Sequence, residues 1–235
     1  MKIIIAGATG DIGKAIASQL DKQGHDLLLL YRNQQKLAQL LPDLNQSPKF
    51  CSLNPINPAS LKREWQTFGP EVFITAIGSG TYAKLENIGL DQLDQAYLDN
   101  FKLNFILIQI AYKIFKRRKK GYFILINSVS GLEGFPYGAS YCSFKFALRG
   151  LAEVLAKEGK RYNIRTSSIY PGIVKSNMLH KMPFIPKEKD CILPLDVAKA
   201  VTYLLNLPAN LEVKDLVLKN SHLTWKQNHN LDQNN

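Results

Sequence analysis

The first thirteen residues restrict what this chain can fold into more than any other stretch. Residues 2–6 form an apolar, β-branched run, Gly7-Ala8-Thr9-Gly10-Asp11-Ile12-Gly13 follows, and a helical pattern through Ile16 and Leu20 stops near Gly24. Strand, glycine loop and helix in that order is the context in which a dinucleotide fingerprint has physical meaning. Glycines let the backbone approach a pyrophosphate, and a helix N-terminus points free N–H groups at it. Gly7, Thr9, Gly10, Asp11, Ile12 and Gly13 are therefore candidate cofactor contacts. The plainer alternative is a tight turn that holds nothing.

The same alternation continues along the chain. Leu27 to Tyr31 is a second apolar run, and Arg32-Asn33 ends it. An acid at this strand end would hold a ribose 2′-hydroxyl, whereas an arginine accommodates a 2′-phosphate. The next carboxylate is Asp43, so Tyr31, Arg32 and Asn33 favour NADP(H) over NAD(H), unless Arg32 is simply a solvated surface residue. A helix over 33–41 follows, then a short strand at Phe50–Leu53 whose exit is Asn54-Pro55. Asn54 is either an adenine contact or a turn residue. A helix over 58–67 leads to a fourth strand, Val72 to Ala76, leaving through Ile77-Gly78-Ser79-Gly80. Ala76, Ile77 and Gly78 suggest another close backbone approach.

Leu90 to Arg118 reads as helix with a break near Asn100. Its second half is apolar on more than one face, which predicts burial against the sheet and against another subunit. Later come a strand at Ile164–Ile169, its exit through Pro171, Gly172, Val174 and Ser176, a long loop over 177–193, a helix over 195–206 and a last strand at Asp215–Leu218. The loop mixes apolar and basic residues, as a lid over a substrate would. The polar tail from Asn220 onward is expected to be loose, with Trp225 able to dock on something.

With 235 residues and 46% hydrophobic content, one α/β domain is the simplest count. No apolar run reaches membrane-spanning length. The N-terminal run is too short for a signal peptide, which predicts a cytoplasmic protein. Cys51, Cys142 and Cys191 show no metal spacing and are expected to be reduced packing residues, with no metal bound. The net charge is +11. Its densest run, Lys116 to Lys120, falls at a helix end, where cations are favoured, so a nucleic-acid partner is not expected.

Ser128 to Lys145 carries the chemistry. Tyr141 and Lys145 lie four residues apart, with apolar residues at helical spacing after them. On a helix this places an ammonium beside a phenol. A nearby cation favours the phenolate, which makes such a pair a tunable proton donor and acceptor. Ser128 follows the buried strand Tyr122–Ile126, and a glycine-rich loop leads into the helix 139–158. A hydroxyl at that strand end can hold a carbonyl oxygen while Tyr141 protonates it.

These features together resemble the short-chain dehydrogenase/reductase family, over about residues 1–219, leaving 220–235 as a tail. Thirteen positions separate Ser128 from Tyr141 (141 − 128), Asn100 falls where the family carries a fourth catalytic residue, and Pro171-Gly172 matches its Pro-Gly loop. The resemblance implies a Rossmann-type doubly wound parallel sheet of about seven strands, helices on both faces and a nicotinamide cofactor. It also implies interconversion of a small-molecule carbonyl and alcohol. Tyr141 would exchange the proton, Ser128 orient the oxygen, Lys145 lower the Tyr141 pKa and hold the nicotinamide ribose, and Asn100 position a relay water. Ser130, Tyr137, Met178 and Phe184 are the expected substrate contacts. The chain departs from the family at Asp11 in the glycine loop, at Thr75-Ala76-Ile77-Gly78, where Asn-Asn-Ala-Gly is usual, and at Asn54, where Asp is usual. The C-terminus lacks a glycine-rich ending, which points to a homodimer through helices 100–118 and 139–158. A non-catalytic NADP(H)-binding module on the same fold is the alternative.

Overall fold

A computed structural model describes residues 1–183 and 185–224; Phe184 and Trp225 lie outside the described residues. The apolar runs become strands β1 (Lys2–Ala6), β2 (Asp26–Tyr31), β3 (Lys49–Ser52), β4 (Val72–Thr75), β5 (Gly121–Ile126), β6 (Ile164–Pro171) and β7 (Asp215–Leu218). They form one parallel sheet in the order β3-β2-β1-β4-β5-β6-β7. The order reverses beside β1, so the exits of β1 and β4 open a crevice at the carboxyl edge.

The central strands β1, β2, β4 and β5 are apolar on both faces because both faces are covered. Ile4 and Phe73 join the cluster beneath α3 (Pro58–Phe68), α5 (Leu103–Arg118) and α6 (Ala139–Gly159), with Trp65, Leu107, Phe115 and Leu148. Ile3, Ile5 and Ile74 point the other way, to α1 (Asp11–Lys22), α2 (Gln34–Leu40) and α7 (Pro194–Leu205), with Ile16, Leu20, Leu37 and Val201. One-residue alternation along β1 thus feeds two separate cores. Cys51, Cys142 and Cys191 are buried, and none is in a disulfide among the described residues. Among the described residues no helix is long and apolar enough to cross a membrane.

Two expectations change. The helix around Asn100 does not break: α4 (Leu90–Tyr97) runs through one π turn, Leu98–Lys102, into α5. The tail is not loose at its start. Asn220 donates to the carbonyls of Ile173 (3.0 Å) and Asp190 (2.9 Å) and accepts from the Ile173 amide (2.8 Å). Thr224 bonds the Asp190 carboxylate through its amide and its hydroxyl. This segment therefore straps the loop that follows β6. The basic run does end a helix: Lys116, Arg117 and Arg118 fill the last turn of α5, and Arg118 donates to the Pro70 carbonyl at 2.7 Å.

The first βα turn depends on two glycines. Gly7 has φ +80°, and a Cβ on Gly13 would lie 2.0 Å from the Gly7 carbonyl oxygen. A Cβ on Gly10 would meet that same oxygen only at 3.5 Å, an ordinary contact. Gly13→Ala should therefore cost about 2–4 kcal/mol in urea unfolding, whereas Gly10→Ala should cost under about 1 kcal/mol. Equal losses for the two would contradict this packing.

Candidate active site

The first turns of α6 place Tyr141 and Lys145 on its inward face, 6% and 3% exposed. The buried Asn127, at the end of β5, donates to the Lys145 carbonyl at 3.1 Å and sets the helix against the sheet. A Cβ on Gly131 would lie 2.9 Å from that carbonyl, so the approach needs glycine. Ser128 is buried, and its hydroxyl donates to Ser130 Oγ (3.0 Å) and accepts from the Ser130 amide (3.1 Å); it faces the same cavity as the Tyr141 phenol. Lys145 Nζ lies 5.6 Å from the centroid of the Tyr141 ring.

Removal from water dominates the electrostatics of both groups. Burial pushes the Tyr141 phenol up to about 12 against the lowering effect of Ser128. Burial alone pulls the Lys145 ammonium down to about 8. The expectation that the lysine would leave Tyr141 with a lowered pKa does not hold in the free chain. Desolvation outweighs the lowering effect of Ser128, and the phenol keeps its proton at neutral pH.

Asn100 is fully buried and serves as neither cap nor hinge. It donates to the carbonyls of Ser79 and Ala96, both at 3.0 Å, and accepts from the Ser79 amide at 3.0 Å. It is thereby tied to the exit of β4. A Cβ on Gly78 would come within 3.1 Å of both Asn100 Oδ1 and Lys145 Nζ, so these two side chains flank the same bare backbone. Thr75, which stands in the place of an asparagine, donates to Asn104 Oδ1 at 2.5 Å, and Asn104 Nδ2 donates to the Asn100 carbonyl at 3.0 Å. Sheet bracing is thus supplied by Thr75 with Asn104, a pairing that was not anticipated.

A cavity of about 360 Å³ opens over the carboxyl ends of the strands. Of the expected residues, Ile12, Ala76, Ile77, Gly78, Ser128, Ser130, Tyr141, Lys145, Pro171, Gly172, Val174, Ser176 and Met178 line it. Tyr137 does not line it: this residue, at φ +68°, gives its carbonyl to the Ala83 amide at 3.0 Å. The aromatic wall is instead Tyr82 and Phe135, with ring centroids 5.9 Å apart; Tyr82 also stands edge-on to Tyr141 at 5.7 Å. Leu179 and Met182 line it from the loop read as a lid, and Glu133, Ile173, Lys219, Asn220 and Leu223 line it without having been foreseen. Asn220 and Leu223 follow the last strand, and the rule that ligands sit beyond strand ends was the available signal.

The remaining expected cofactor residues lie outside the cavity, around the first turn and along the rim. Gly7 abuts the exit of β4: a Cβ there would touch Ala76 at 2.9 Å. Asp11, in the first turn of α1, accepts from the Asn177 amide (2.8 Å) and side chain (3.1 Å). Its carboxylate is therefore engaged by the loop after β6. Thr9, Gly10 and Gly13 belong to the same turn as Gly7. Arg32 lies at the end of β2, half-exposed and paired with Asp99 at 2.7 Å. Asn33 caps α2 by accepting from the Lys36 amide at 3.0 Å, a structural task. Tyr31 is half-buried, and Asn54 and Pro55 are exposed beyond β3. A bare glycine turn, an α1 N-terminus and the uncovered backbone at Gly78 beside Lys145 together form a cradle that fits a dinucleotide.

The comparisons agree with this geometry. Residues 1–183 match the model of the short chain dehydrogenase family. A 3-oxoacyl-[acyl-carrier-protein] reductase of Rickettsia bellii is 33% identical over 215 residues, 86% of this chain and 87% of the relative. An uncharacterized oxidoreductase of Staphylococcus epidermidis is 27% identical over 92% of this chain and 95% of its own. The alcohol dehydrogenase from the archaeon Thermococcus sibiricus, solved with 5-hydroxy-NADP, superposes with a TM-score of 0.81 at 26% identity, covering 94% of this chain and 96% of that one. Strand order, the cavity at the strand ends and these likenesses lead to one assignment: this chain is an oxidoreductase of the short-chain dehydrogenase family.

Proposed function

We propose that this chain interconverts a carbonyl and an alcohol with NADP(H), and that Tyr141 is its proton donor and acceptor. The observation that carries the reading is the meeting of Ser128, Tyr141 and Lys145 in one cavity at the strand ends. A bound nicotinamide would supply or accept the hydride. Ser128 Oγ, in the same cavity as the phenol, holds the substrate oxygen. Tyr141 carries its proton at neutral pH and gives it to the oxygen as negative charge develops there. The Lys145 ammonium stabilises the resulting phenolate and reaches toward the ribose. Asn100 holds the exit of β4 in the shape that leaves Gly78 open beside Lys145.

The substrate is a carbonyl compound with an apolar body, because Tyr82, Phe135, Met178, Leu179, Met182 and Leu223 face the place beyond Tyr141. The reductase activity named for the Rickettsia relative fits an apolar carbonyl substrate. Arg32 at the end of β2 supports NADP(H), as does the NADP analogue bound to the archaeal relative. A homodimer is supported by apolar side chains exposed along α4 to α6, among them Leu90, Leu98, Phe105 and Phe146.

Two substitutions separate the parts of this reading. Tyr141→Phe should lower turnover of NADPH with a panel of apolar ketones and aldehydes by roughly a thousandfold or more, while cofactor affinity measured by nicotinamide fluorescence changes less than about threefold. Intact turnover would remove Tyr141 from the mechanism. Arg32→Ala should weaken NADPH by about tenfold or more and NADH by less than about twofold. Equal losses would refute the phosphate role.

A further inference from the structure

Arg32 is not a free cation. Its guanidinium donates to Asp99 Oδ1 at 2.7 Å, across from the exit of β2 to the π turn between α4 and α5. The two partners are unequal. The Arg32 side chain is 50% exposed, whereas that of Asp99 is 12% exposed. The other oxygen of Asp99 accepts from Gln95 Nε2 at 2.9 Å and from Ser79 Oγ at 3.2 Å. The carboxylate is thus built into the scaffold, and the arginine is the partner that moves. Burial pushes the Asp99 carboxyl up, but the hydrogen bonds from Arg32, Gln95 and Ser79 and the charge of Arg32 outweigh it and hold the group below its ordinary value. Asp99 is therefore charged at neutral pH.

A 2′-phosphate arriving at Arg32 has two costs to meet that a 2′-hydroxyl does not. It must draw the guanidinium away from a carboxylate already bonded to it, and it must sit near that carboxylate's negative charge. A ribose hydroxyl carries no charge and escapes both.

We propose that Asp99 is a specificity-determining residue: by holding Arg32 it reduces the preference for NADP(H) over NAD(H), so that the chain accepts both cofactors. The proposal rests on the reading that Arg32 faces the 2′-phosphate. Removing the carboxylate frees the guanidinium and removes the repulsion, so the preference for the phosphorylated cofactor rises. The substitution that keeps the shape is Asp99→Asn, which retains an acceptor for Gln95 or Ser79.

The test is the ratio of NADH to NADPH dissociation constants, by nicotinamide fluorescence, for the wild-type chain, Asp99→Asn, Arg32→Ala and the double variant. A ratio cancels any general disturbance that reaches Asn100 next door. Asp99→Asn should raise it by about five- to tenfold, chiefly through tighter NADPH binding, and most of this gain should vanish in the Arg32→Ala background. A ratio unchanged within about twofold, or lowered, overturns the role of Asp99 while Arg32→Ala still lowers it. If Arg32→Ala leaves the ratio unchanged, the phosphate reading itself fails and takes the proposal with it. Should Asp99→Asn not fold, Asp99→Ser, which removes the same charge with less bulk, carries the same expectations.

Discussion

Two ionisable side chains are taken out of water side by side, and the rest of the site is arranged around that act. Lys145 and Tyr141 are 3% and 6% exposed in a cavity with mostly apolar walls. A lysine shifted from 10.5 to about 8 costs the folded chain roughly 3 kcal/mol at neutral pH, a large share of the stability of an ordinary domain. The sign follows from proton counting. Between about 8 and 10.5 the unfolded chain holds more protons on this lysine, so this group's contribution to stability improves as pH rises through that window. A cost of this kind is tolerated where the group has chemical work, and in the proposed reaction a phenolate at Tyr141 supplies the missing partner charge.

The sheet makes that expense possible. Both faces of the central strands are buried, so the two cores supply the stability, and the carboxyl edge is left free for polar groups. The elements then brace one another at that edge. Asn127 at the end of β5 fixes the height of α6 through the Lys145 carbonyl. Asn100 and Asn104 fix the exit of β4 through the backbone at Ser79 and Ile77 and the Thr75 hydroxyl. Asn220 and Thr224 fix the loop after β6. Asn100, Asn104 and Asn220 are buried or half-buried amides with several partners each, the form in which a polar group gives geometry rather than a desolvation penalty.

What could be read from the sequence was what is periodic or local. The seven apolar runs fixed the strands, and the glycine turn with the spacing of Ser128, Tyr141 and Lys145 fixed the fold family and the centre of the site. What could not be read was what two distant segments make together. The Arg32–Asp99 pair joins residues 67 positions apart, so an arginine that looked unopposed along the chain is opposed in space. The π turn, which keeps Asn100 inward without a break, has no pattern of its own in the sequence. Asn220 looked like the start of a polar tail because polarity alone does not distinguish a solvated side chain from one with three backbone partners. Tyr137 and Tyr82 changed places for a similar reason: each lies in a loop, and only the fold decides which ring turns toward Tyr141.

The account stands on the dryness of the place where Lys145 and Tyr141 meet. It is tested most directly by following the side-chain nitrogens of the lysines by NMR in the free protein as pH is raised. One lysine should lose its charge near pH 8, well ahead of the others, and its signal should be missing from a Lys145→Met variant. If every lysine titrates together near the ordinary value of about 10.4, the ammonium is in water, and the account is wrong at its centre.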